Sequence, residues 1–300
     1  LPEHTLPAKA LAYAMGADYL EQDVVATRDD ELVVLHDIHL DRVSNVADVY
    51  AGRARVDGRY YVRDFDLDEL RTLSVWERMN EDGSRVYPDR FPARSGNFRI
   101  HTFADELELV RSLNAATGGT TGVYPEIKSP AWHKEEGVDI SPLFLDVLAD
   151  HGYGSREEAV YVQCFDDAEL RRVRHELGCE LKLVQLIGEN DWGESATDYE
   201  AIRTPAGLKE LAKTVDGIGP WLNQLYVLEG VNTTPRPTGL VASAHEAGLV
   251  VHPYTFRLDS LPEGFESLDA LLDFMFDELR VDGVFTDFPD QVHHAVRARS

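Results

Sequence analysis

From residue 103 to the end of the chain, short apolar runs alternate with amphipathic stretches of helical period. Such runs are typical of strands buried on both faces, and the stretches between them are long enough for helices. Predicted strands cover residues 122–127, 160–164, 181–187, 217–220, 249–255 and 283–287. Predicted helices cover residues 103–116, 143–149, 167–177, 205–214, 238–246, 268–279 and 290–299. This alternation indicates a parallel sheet covered by helices.

The beginning of the chain extends the same pattern. A short amphipathic helix is predicted over residues 5–15, and an apolar run follows at 19–25. With that run the chain contains seven predicted parallel strands, whereas a (β/α)₈ TIM barrel has eight. Because the chain opens with a helix, we expect the first barrel strand to lie upstream of Leu1. We predict a single TIM-barrel domain over residues 1–300; the alternative is an open doubly wound sheet, but no glycine-rich phosphate loop follows the first strand.

One long segment departs from this alternation. Residues 38–100 are polar and rich in Arg, Asp and Gly, with one helical pattern near 67–73. Their position after the hairpin of the second barrel strand indicates an insertion within the domain. We expect this insertion to form part of the mouth of a pocket.

The stretch 19–37 contains the first candidate site residues. Glu21 and Asp23 are two residues apart in a strand, so both carboxylates lie on the same face. If residues 28–31 form the turn, a symmetric hairpin pairs position i with position 59 minus i and places Asp23 opposite His36. A pair of carboxylates beside an imidazole would provide a hard-cation site and an acid/base group. The alternative is that these acidic residues are solvated on a polar face.

Further candidates stand at the ends of later predicted strands, where the chemistry of a TIM barrel is located. Glu126 completes a set of three carboxylates with Glu21 and Asp23, which suits Ca²⁺ or Mg²⁺ better than Zn²⁺. Lys128 lies on the same strand face as Glu126; it would hold a phosphate group, or else form a solvent-exposed ion pair. The remaining strand ends contribute four candidate substrate-binding residues, which are Gln163, Phe165, Tyr254 and Phe288.

Charge and cysteine content exclude several classes of function. The chain has 54 acidic against 29 basic residues, a formal charge of −25. We therefore expect no nucleic-acid partner and no docking on an anionic membrane, because no basic stripe is available. The two cysteines, Cys164 and Cys179, are too few for a disulfide framework or a thiolate metal site. No apolar run has the length of a membrane-spanning helix.

Several motifs occur in a fixed order along the chain. They are LPEHTLPAKALAYAMGADYLEQDVVATRDDELVVLHD at the start, HTF at His101, and then YPEIK, QCF and FTDFP. In order and spacing the chain resembles the glycerophosphodiester phosphodiesterase family, and especially its longer periplasmic branch. The resemblance implies a (β/α)₈ barrel that hydrolyses glycerophosphodiesters, such as glycerophosphocholine or glycerophosphoethanolamine, to sn-glycerol 3-phosphate and an alcohol.

The same resemblance implies roles for the candidate residues. Glu21, Asp23 and Glu126 correspond to metal ligands, His36 to one of two acid/base histidines, and Lys128 to a lysine on the phosphate side. The expected cofactor is one divalent cation, Ca²⁺ in preference to Mg²⁺. The family's other histidine and a phosphate-binding arginine belong to a strand that would precede Leu1. A periplasmic or secreted location is expected, with the cytoplasm as the alternative.

Two other functions remain open from the sequence. A catalytically silent barrel would bind a phosphodiester or a metal without cleaving the substrate, and the unseen His-Arg pair motivates this alternative. A lipid phosphodiesterase or lyase of related fold would release a stable cyclic phosphate or act only on micelles. The reaction product distinguishes both from the expected hydrolase.

Overall fold

The computed structural model describes residues 1–92, 94–229 and 234–299. The strands are β1 Tyr19–Ala26, β2 Leu32–Val34, β3 Gly122–Ile127, β4 Tyr161–Cys164, β5 Lys182–Ile187, β6 Gly217–Pro220, β7 Tyr226–Glu229, β8 Thr234–Pro237 and β9 Val250–Val251. The helices are α1 Leu6–Ala14, α2 Val46–Val49, α3 Leu67–Leu70, α4 Phe103–Thr117, α5 Pro130–Glu135, α6 Ile140–Asp150, α7 Asp167–His175, α8 Tyr199–Ile202, α9 Pro205–Leu211, α10 Leu240–Glu246, α11 Leu268–Leu272 and α12 Pro289–Arg299. Short 3₁₀ turns cover Val62–Asp64, Asn190–Trp192 and Leu222–Gln224, and a π-helical segment covers Asp273–Leu279.

Two compact units make up the chain. The first unit contains Leu1–Ala14 and Asp18–Val160, and the second contains Met15–Ala17 and Tyr161–Ser300. In the first unit β1 pairs in parallel with β3 and antiparallel with β2. Every residue of β3 is buried, as expected for a parallel strand covered on both faces. The predicted α/β class is therefore confirmed.

The hairpin β1–β2 has a different register from the predicted one. Val24 pairs with Val34 and Ala26 with Leu32, so paired positions sum to 58 and not 59. Asp30 adopts a left-handed conformation with φ of 61°. The observed turn therefore contains one more residue than the predicted symmetric turn. As a result Leu35, and not His36, lies beside Asp23, and the Leu35 amide donates to the Asp23 carbonyl at 2.9 Å. The prediction that Asp23 faces His36 across the hairpin is wrong.

Helix α4 begins at the predicted residue, Phe103. The Thr102 hydroxyl accepts from the Asp105 amide and the Asp105 carboxylate accepts from the Thr102 amide, both at 3.0 Å. This reciprocal capping satisfies two amides that the first helical turn leaves without partners. The helix ends at Gly118, whose φ of 71° is available at little cost only to glycine.

A buried polar network connects α1, β1 and α4. Glu106 of α4 is fully buried, and its carboxylate lies 3.3 Å from Lys9 Nζ and 2.7 Å from His101 Nε2. The Gln22 amide donates to the same carboxylate at 2.9 Å. Lys9 Nζ also donates to the carbonyl of Glu21. Burial by itself would raise the pKa of Glu106, but Lys9 and His101 outweigh it and lower that pKa to about 2.

The inserted segment 38–100 packs its own apolar side chains against the hairpin. Its buried residues form one cluster with the hairpin residues Val25, Val33 and Leu35. The insertion contributes Leu40, Val43, Val46, Tyr60, Val62, Phe65, Leu70, Leu73, Val75, Phe98 and Ile100. These apolar residues have neither the period of a helix nor that of a strand, so the sequence pattern does not reveal the cluster.

The second unit contains the parallel strands β4, β5, β6 and β9, each paired with the next. The predicted strand at 283–287 does not form; in its place Thr286 makes an isolated bridge to Phe256. Pro253, in the neighbouring segment, has no amide to donate, which interrupts the ladder and also shortens the strand predicted at 249–255. The antiparallel hairpin β7–β8 was not predicted, because the second strand, TPRP, contains two prolines that argue against a strand.

A helix that crosses a lipid bilayer is long and predominantly apolar. Among the residues described, none of the helices combines the length and the apolar content needed to cross one.

The Glu106 network predicts a pH-dependent stability. The pKa of Glu106 is about 2 in the folded protein against 4.5 in the unfolded chain, so its contribution is complete above pH 4.5 and is lost as the pH falls towards 2. This contribution is about 3 kcal/mol of unfolding free energy. Urea unfolding of the wild type and Glu106→Gln at pH 7, 4.5 and 3 measures it. We expect the variant to lose less stability on acidification; equal losses would contradict this prediction.

Candidate active site

Two carboxylates lie side by side in the sheet of the first unit. Parallel pairing of β1 and β3 places Asp23 in register with Glu126, so their side chains project from neighbouring positions of the same face. Both residues are buried, and a hydrogen bond joins the two carboxyl groups. The sequence therefore brings together two of its three predicted metal ligands through strand register alone.

The third predicted ligand, Glu21, precedes Asp23 by two positions in β1, and a histidine joins the group. His4 Nε2 lies 2.9 Å from an Asp23 carboxylate oxygen. One potential ligand atom from each of His4, Glu21 and Asp23 falls within 4.8 Å of the others. The sequence analysis missed His4, although the PEHT motif places it just before α1; its left-handed φ of 48° brings it back towards β1.

Lys128 follows β3 and lies beside the same carboxylates. Its Nζ is 3.3 Å from Glu126 and 3.6 Å from Asp23. Lys128 is buried, so the solvent-exposed ion pair that the sequence left open is not what the structure shows. Its predicted role in holding a phosphate group stays a prediction.

The carboxylates of this group differ in their affinity for protons. Burial, and next the negative charge of Asp23, raises the pKa of Glu21 well above its usual range. Burial and the charge of Asp23 likewise raise the pKa of Glu126, although Lys128 opposes this. For Asp23, burial is outweighed by Lys128 and by the hydrogen bond from His4, and its pKa is held well below the usual range. Despite the charges of Lys9 and Lys128, the pKa of Glu21 and of Glu126 stays raised, so additional positive charge at this group would be favourable.

This donor set fits a hard divalent cation. Carboxylate oxygens are the preferred ligands of Ca²⁺ and Mg²⁺, and an added imidazole is compatible with a divalent ion. A bound cation would oppose the effects of burial and of the Asp23 charge, which raise the pKa of Glu21 and Glu126, since an opposite charge nearby favours the ionised carboxylate. His4, Glu21 and Asp23 would hold the ion. Glu126 would lie beside this set, because it is the neighbour of Asp23 in the sheet.

His36 lies after β2, and 43% of its side chain is exposed. Its ring centre is 6.2 Å from that of His4. The His36 Nδ1–H donates to the Asp37 carboxylate at 3.2 Å. Burial would raise the pKa of Asp37, but the His36 hydrogen bond and the charges of His36 and Arg78 hold it far below its usual range, so Asp37 stays an acceptor. The Nε2 atom is thus the nitrogen left to exchange protons.

The four predicted substrate-binding residues belong to the second unit. Gln163 is buried in β4, and Phe165 follows that strand. The rings of Phe165 and Tyr254 meet edge to face with their centres 6.0 Å apart, and the Tyr254 hydroxyl donates to the Ile187 carbonyl at 2.9 Å. Phe288 precedes α12, and its amide donates to the Thr286 hydroxyl at 3.0 Å. Their role in substrate binding stays a prediction.

The observations so far define a class of protein. The chain is an α/β protein whose first unit gathers buried carboxylates suited to a divalent cation near a half-exposed imidazole. That combination is typical of metal-assisted hydrolases.

Comparison with known proteins narrows this class to one family. The chain belongs to the glycerophosphoryl diester phosphodiesterase family, whose sequence profile matches residues 1–291. A glycerophosphodiester phosphodiesterase of Haemophilus influenzae is 43% identical over 97% of this chain and 85% of its own length. A protein of the same name from Treponema pallidum is 37% identical over 97% of this chain and 86% of its own length. The chain is thus an enzyme of the phosphodiesterase class, as predicted.

Solved structures support the fold. A putative glycerophosphoryl diester phosphodiesterase from Silicibacter pomeroyi has a TM-score of 0.71 at 21% identity, covering 99% of this chain and 89% of its own. A phosphodiesterase from Oleispira antarctica, in complex with the product sn-glycerol-3-phosphate, has a TM-score of 0.63 at 17% identity and covers 99% and 92% of the two chains. The predicted TIM-barrel class is confirmed by these neighbours.

The carboxylate group predicts stabilisation by metal. We expect a divalent cation at one hundred times its Kd to raise the unfolding free energy by about 2.7 kcal/mol, because the ion binds only the folded site. Asp23→Asn should abolish this stabilisation, since Asp23 contacts His4, Glu126 and Lys128. Thermal unfolding with and without CaCl₂ or MgCl₂ measures it. The control is Glu108→Gln on α4, where the Glu108 side chain is 52% exposed. If the added cation still stabilises Asp23→Asn, this group of residues is not the cation site.

Proposed function

We propose that this chain hydrolyses glycerophosphodiesters such as glycerophosphocholine and glycerophosphoethanolamine to sn-glycerol 3-phosphate and an alcohol. The observation that carries the proposal is the group of His4, Glu21 and the buried Asp23, whose ligand atoms lie within reach of one cation, next to His36. Membership in the phosphodiesterase family supports it, as does the product named in the Oleispira antarctica structure. Glycerophosphodiesters arise by deacylation of glycerophospholipids, so the proposed activity belongs to lipid and glycerol metabolism.

His36 accounts for one of the two proton transfers that the reaction requires. In the proposed mechanism an oxygen nucleophile, either water or the neighbouring glycerol hydroxyl, forms a bond to phosphorus while the bond to the alcohol oxygen breaks. His36 Nε2 exchanges a proton with one of these two oxygens, because its Nδ1–H is engaged by Asp37. When bound, the divalent cation supplies positive charge that offsets the charge developing on the phosphate. If the glycerol hydroxyl attacks, a cyclic phosphate forms and water then opens it.

Lys128 supports the same proposal from the phosphate side. A buried ammonium group beside Asp23 and Glu126 is a point charge in a medium of low polarity, where its attraction to an anion is strong. We propose that Lys128 orients the phosphate of the substrate. Gln163, Phe165, Tyr254 and Phe288 remain our candidates for further substrate contacts: Gln163 lies in β4, Phe165 follows it, Tyr254 follows β9, and Phe288 follows the isolated bridge of Thr286.

We propose Ca²⁺ in preference to Mg²⁺ as the resident ion. Mg²⁺ requires nearly ideal octahedral geometry and retains several waters, whereas Ca²⁺ accepts six to eight ligands in irregular arrangements. The crowded carboxylates of Glu21, Asp23 and Glu126, all on two neighbouring strands, resemble the second case.

The activity assay follows release of sn-glycerol 3-phosphate from glycerophosphocholine and glycerophosphoethanolamine. We expect turnover of both substrates, its loss on treatment with a chelator, and its return with Ca²⁺ at a lower concentration than with Mg²⁺. A stable cyclic phosphate as the final product would favour a lyase. Ca²⁺ binding without turnover of either substrate would favour a binding protein and overturn the proposal.

A matched pair of histidine variants tests the assignment of His36. His36→Ala should lower kcat/KM by about 10² to 10⁴, the usual contribution of a general acid or base, and leave the unfolding temperature close to that of the wild type. The fold should persist because His36 is half exposed at the end of a hairpin. The control is His294→Ala, at an exposed position of α12. Wild-type activity of His36→Ala would remove His36 from the mechanism.

We also propose that the protein acts in the periplasm or outside the cell. The similarity of residues 1–37 to the longer periplasmic branch of the family supports this location. Fractionation of the source cells should recover the activity in the periplasmic or secreted fraction. Recovery in the cytoplasmic fraction would contradict the proposal.

A further inference from the structure

Arg78 is a mostly buried arginine within the otherwise polar insertion. Only 14% of its side chain is exposed, and its guanidinium group lies between two carboxylates. One terminal nitrogen, Nη2, is 2.5 Å from the Glu3 carboxylate, and the other, Nη1, is 3.1 Å from the Asp37 carboxylate. Each carboxylate belongs to a different segment of the first unit, so Arg78 joins the start of the chain to the end of the hairpin.

Both carboxylates stand next to a histidine in the sequence. Glu3 precedes His4, and Asp37 follows His36. Asp37 uses its two oxygens separately: Oδ1 accepts from His36 Nδ1 at 3.2 Å, and Oδ2 accepts from Arg78 at 3.1 Å. A continuous chain of hydrogen bonds therefore runs from Arg78 through Asp37 to the His36 ring.

The backbone around Arg78 is held by the insertion itself. The amides on either side donate to neighbouring carbonyls: Trp76 to Val43 and Met79 to Arg42, both at 2.9 Å. The carbonyl of Arg78 accepts from the Val86 amide at 3.2 Å. This part of the insertion thus presents the guanidinium group from a fixed backbone, unlike an exposed ion pair between two mobile side chains.

We propose that Arg78 is a positioning residue that fixes the Asp37 carboxylate, so that His36 keeps its proton on Nδ1 and presents Nε2 for proton transfer. The same guanidinium group fixes Glu3 and so limits the movement of His4, whose ring centre lies 6.2 Å from that of His36. The inference rests on the acid/base role proposed for His36. It assigns a function to the insertion, which supplies a residue to the catalytic histidine as well as covering the hairpin.

The planar geometry of arginine matters for this role. Its two terminal nitrogens point in set directions and reach two carboxylates at once, whereas a lysine provides a compact charge without a fork. A lysine at position 78 therefore retains the charge but bridges Glu3 and Asp37 poorly. We expect Arg78→Lys to keep part of the function that Arg78→Ala loses.

The kinetic test compares Arg78→Ala, Arg78→Lys and the control Arg59→Ala in glycerophosphocholine hydrolysis. Arg59 also belongs to the insertion, and its Nε donates to the Asp41 carboxylate at 2.8 Å. We expect Arg78→Ala to lower kcat by about tenfold to hundredfold, the usual effect of removing a group that orients a functional histidine, with KM changed less than about twofold. Arg78→Lys should recover part of kcat, and Arg59→Ala should match the wild type.

A spectroscopic test reports on the His36 ring directly. Two-bond ¹H–¹⁵N spectra identify which nitrogen of a neutral imidazole carries the proton, and the His36 signals are assigned by their absence from His36→Gln. We expect the Nδ1–H form in the wild type and in Arg59→Ala. In Arg78→Ala the ring should shift towards a mixture with the Nε2–H form. If Arg78→Ala fails to fold, the same two measurements on Arg78→Lys decide the question.

The outcomes separate this inference from the proposed function. Unchanged kcat and an unchanged tautomer in Arg78→Ala would overturn the positioning role. If Arg78→Ala and Arg59→Ala both lose kcat and neither changes the tautomer, Arg78 only stabilises the insertion. That result would also overturn the positioning role. If the wild type turns over neither glycerophosphodiester, the proposed function fails, while the tautomer comparison still decides whether Arg78 orients His36.

Discussion

The pairing of Asp23 with Glu126 across two buried parallel strands is the constraint on which the first unit depends. Carboxylates in such a position are costly unless positive charge compensates them. Lys128 supplies part of that positive charge, the His4 ring donates a hydrogen bond to Asp23, and burial with the charge of Asp23 raises the pKa of Glu21 and Glu126. Strand register thus brings together carboxylates that would hold a cation, and Lys128 and His4 offset part of the cost of burying them.

Two polar networks, a buried one around Lys9 and a partly exposed one around Arg78, bring distant segments to this site. Lys9, between Glu106 and the Glu21 carbonyl, holds α1 against β1, and α1 follows directly on the loop that carries His4. Arg78, between Glu3 and Asp37, connects that loop with the end of the hairpin. The two networks use the same principle: a cation with more than one donor, removed from water, joins anionic or carbonyl groups from different segments.

The local pattern of apolar and polar residues predicted secondary structure correctly in segments with a regular burial pattern. Strand β3 was predicted with its observed bounds, and α4 begins at the predicted Phe103. The pattern failed where local chemistry and tertiary contacts compete. Asp30 in a left-handed conformation shifted the hairpin register by one residue, Pro253 interrupted a ladder, and the prolines of β8 concealed a strand. In each case one or two residues changed a pattern that several neighbours suggested.

The sequence by itself determined the α/β class, the family, and the placement of Glu21, Asp23 and Glu126 on one sheet face, because a period of two and parallel register require only local order. Only the tertiary structure decided that His4 joins the carboxylates and that Arg78 reaches Asp37. These contacts join residues that are 19 and 41 positions apart in the sequence, and no periodic signal encodes them. They arise when separate segments pack together and exclude water from the charges between them.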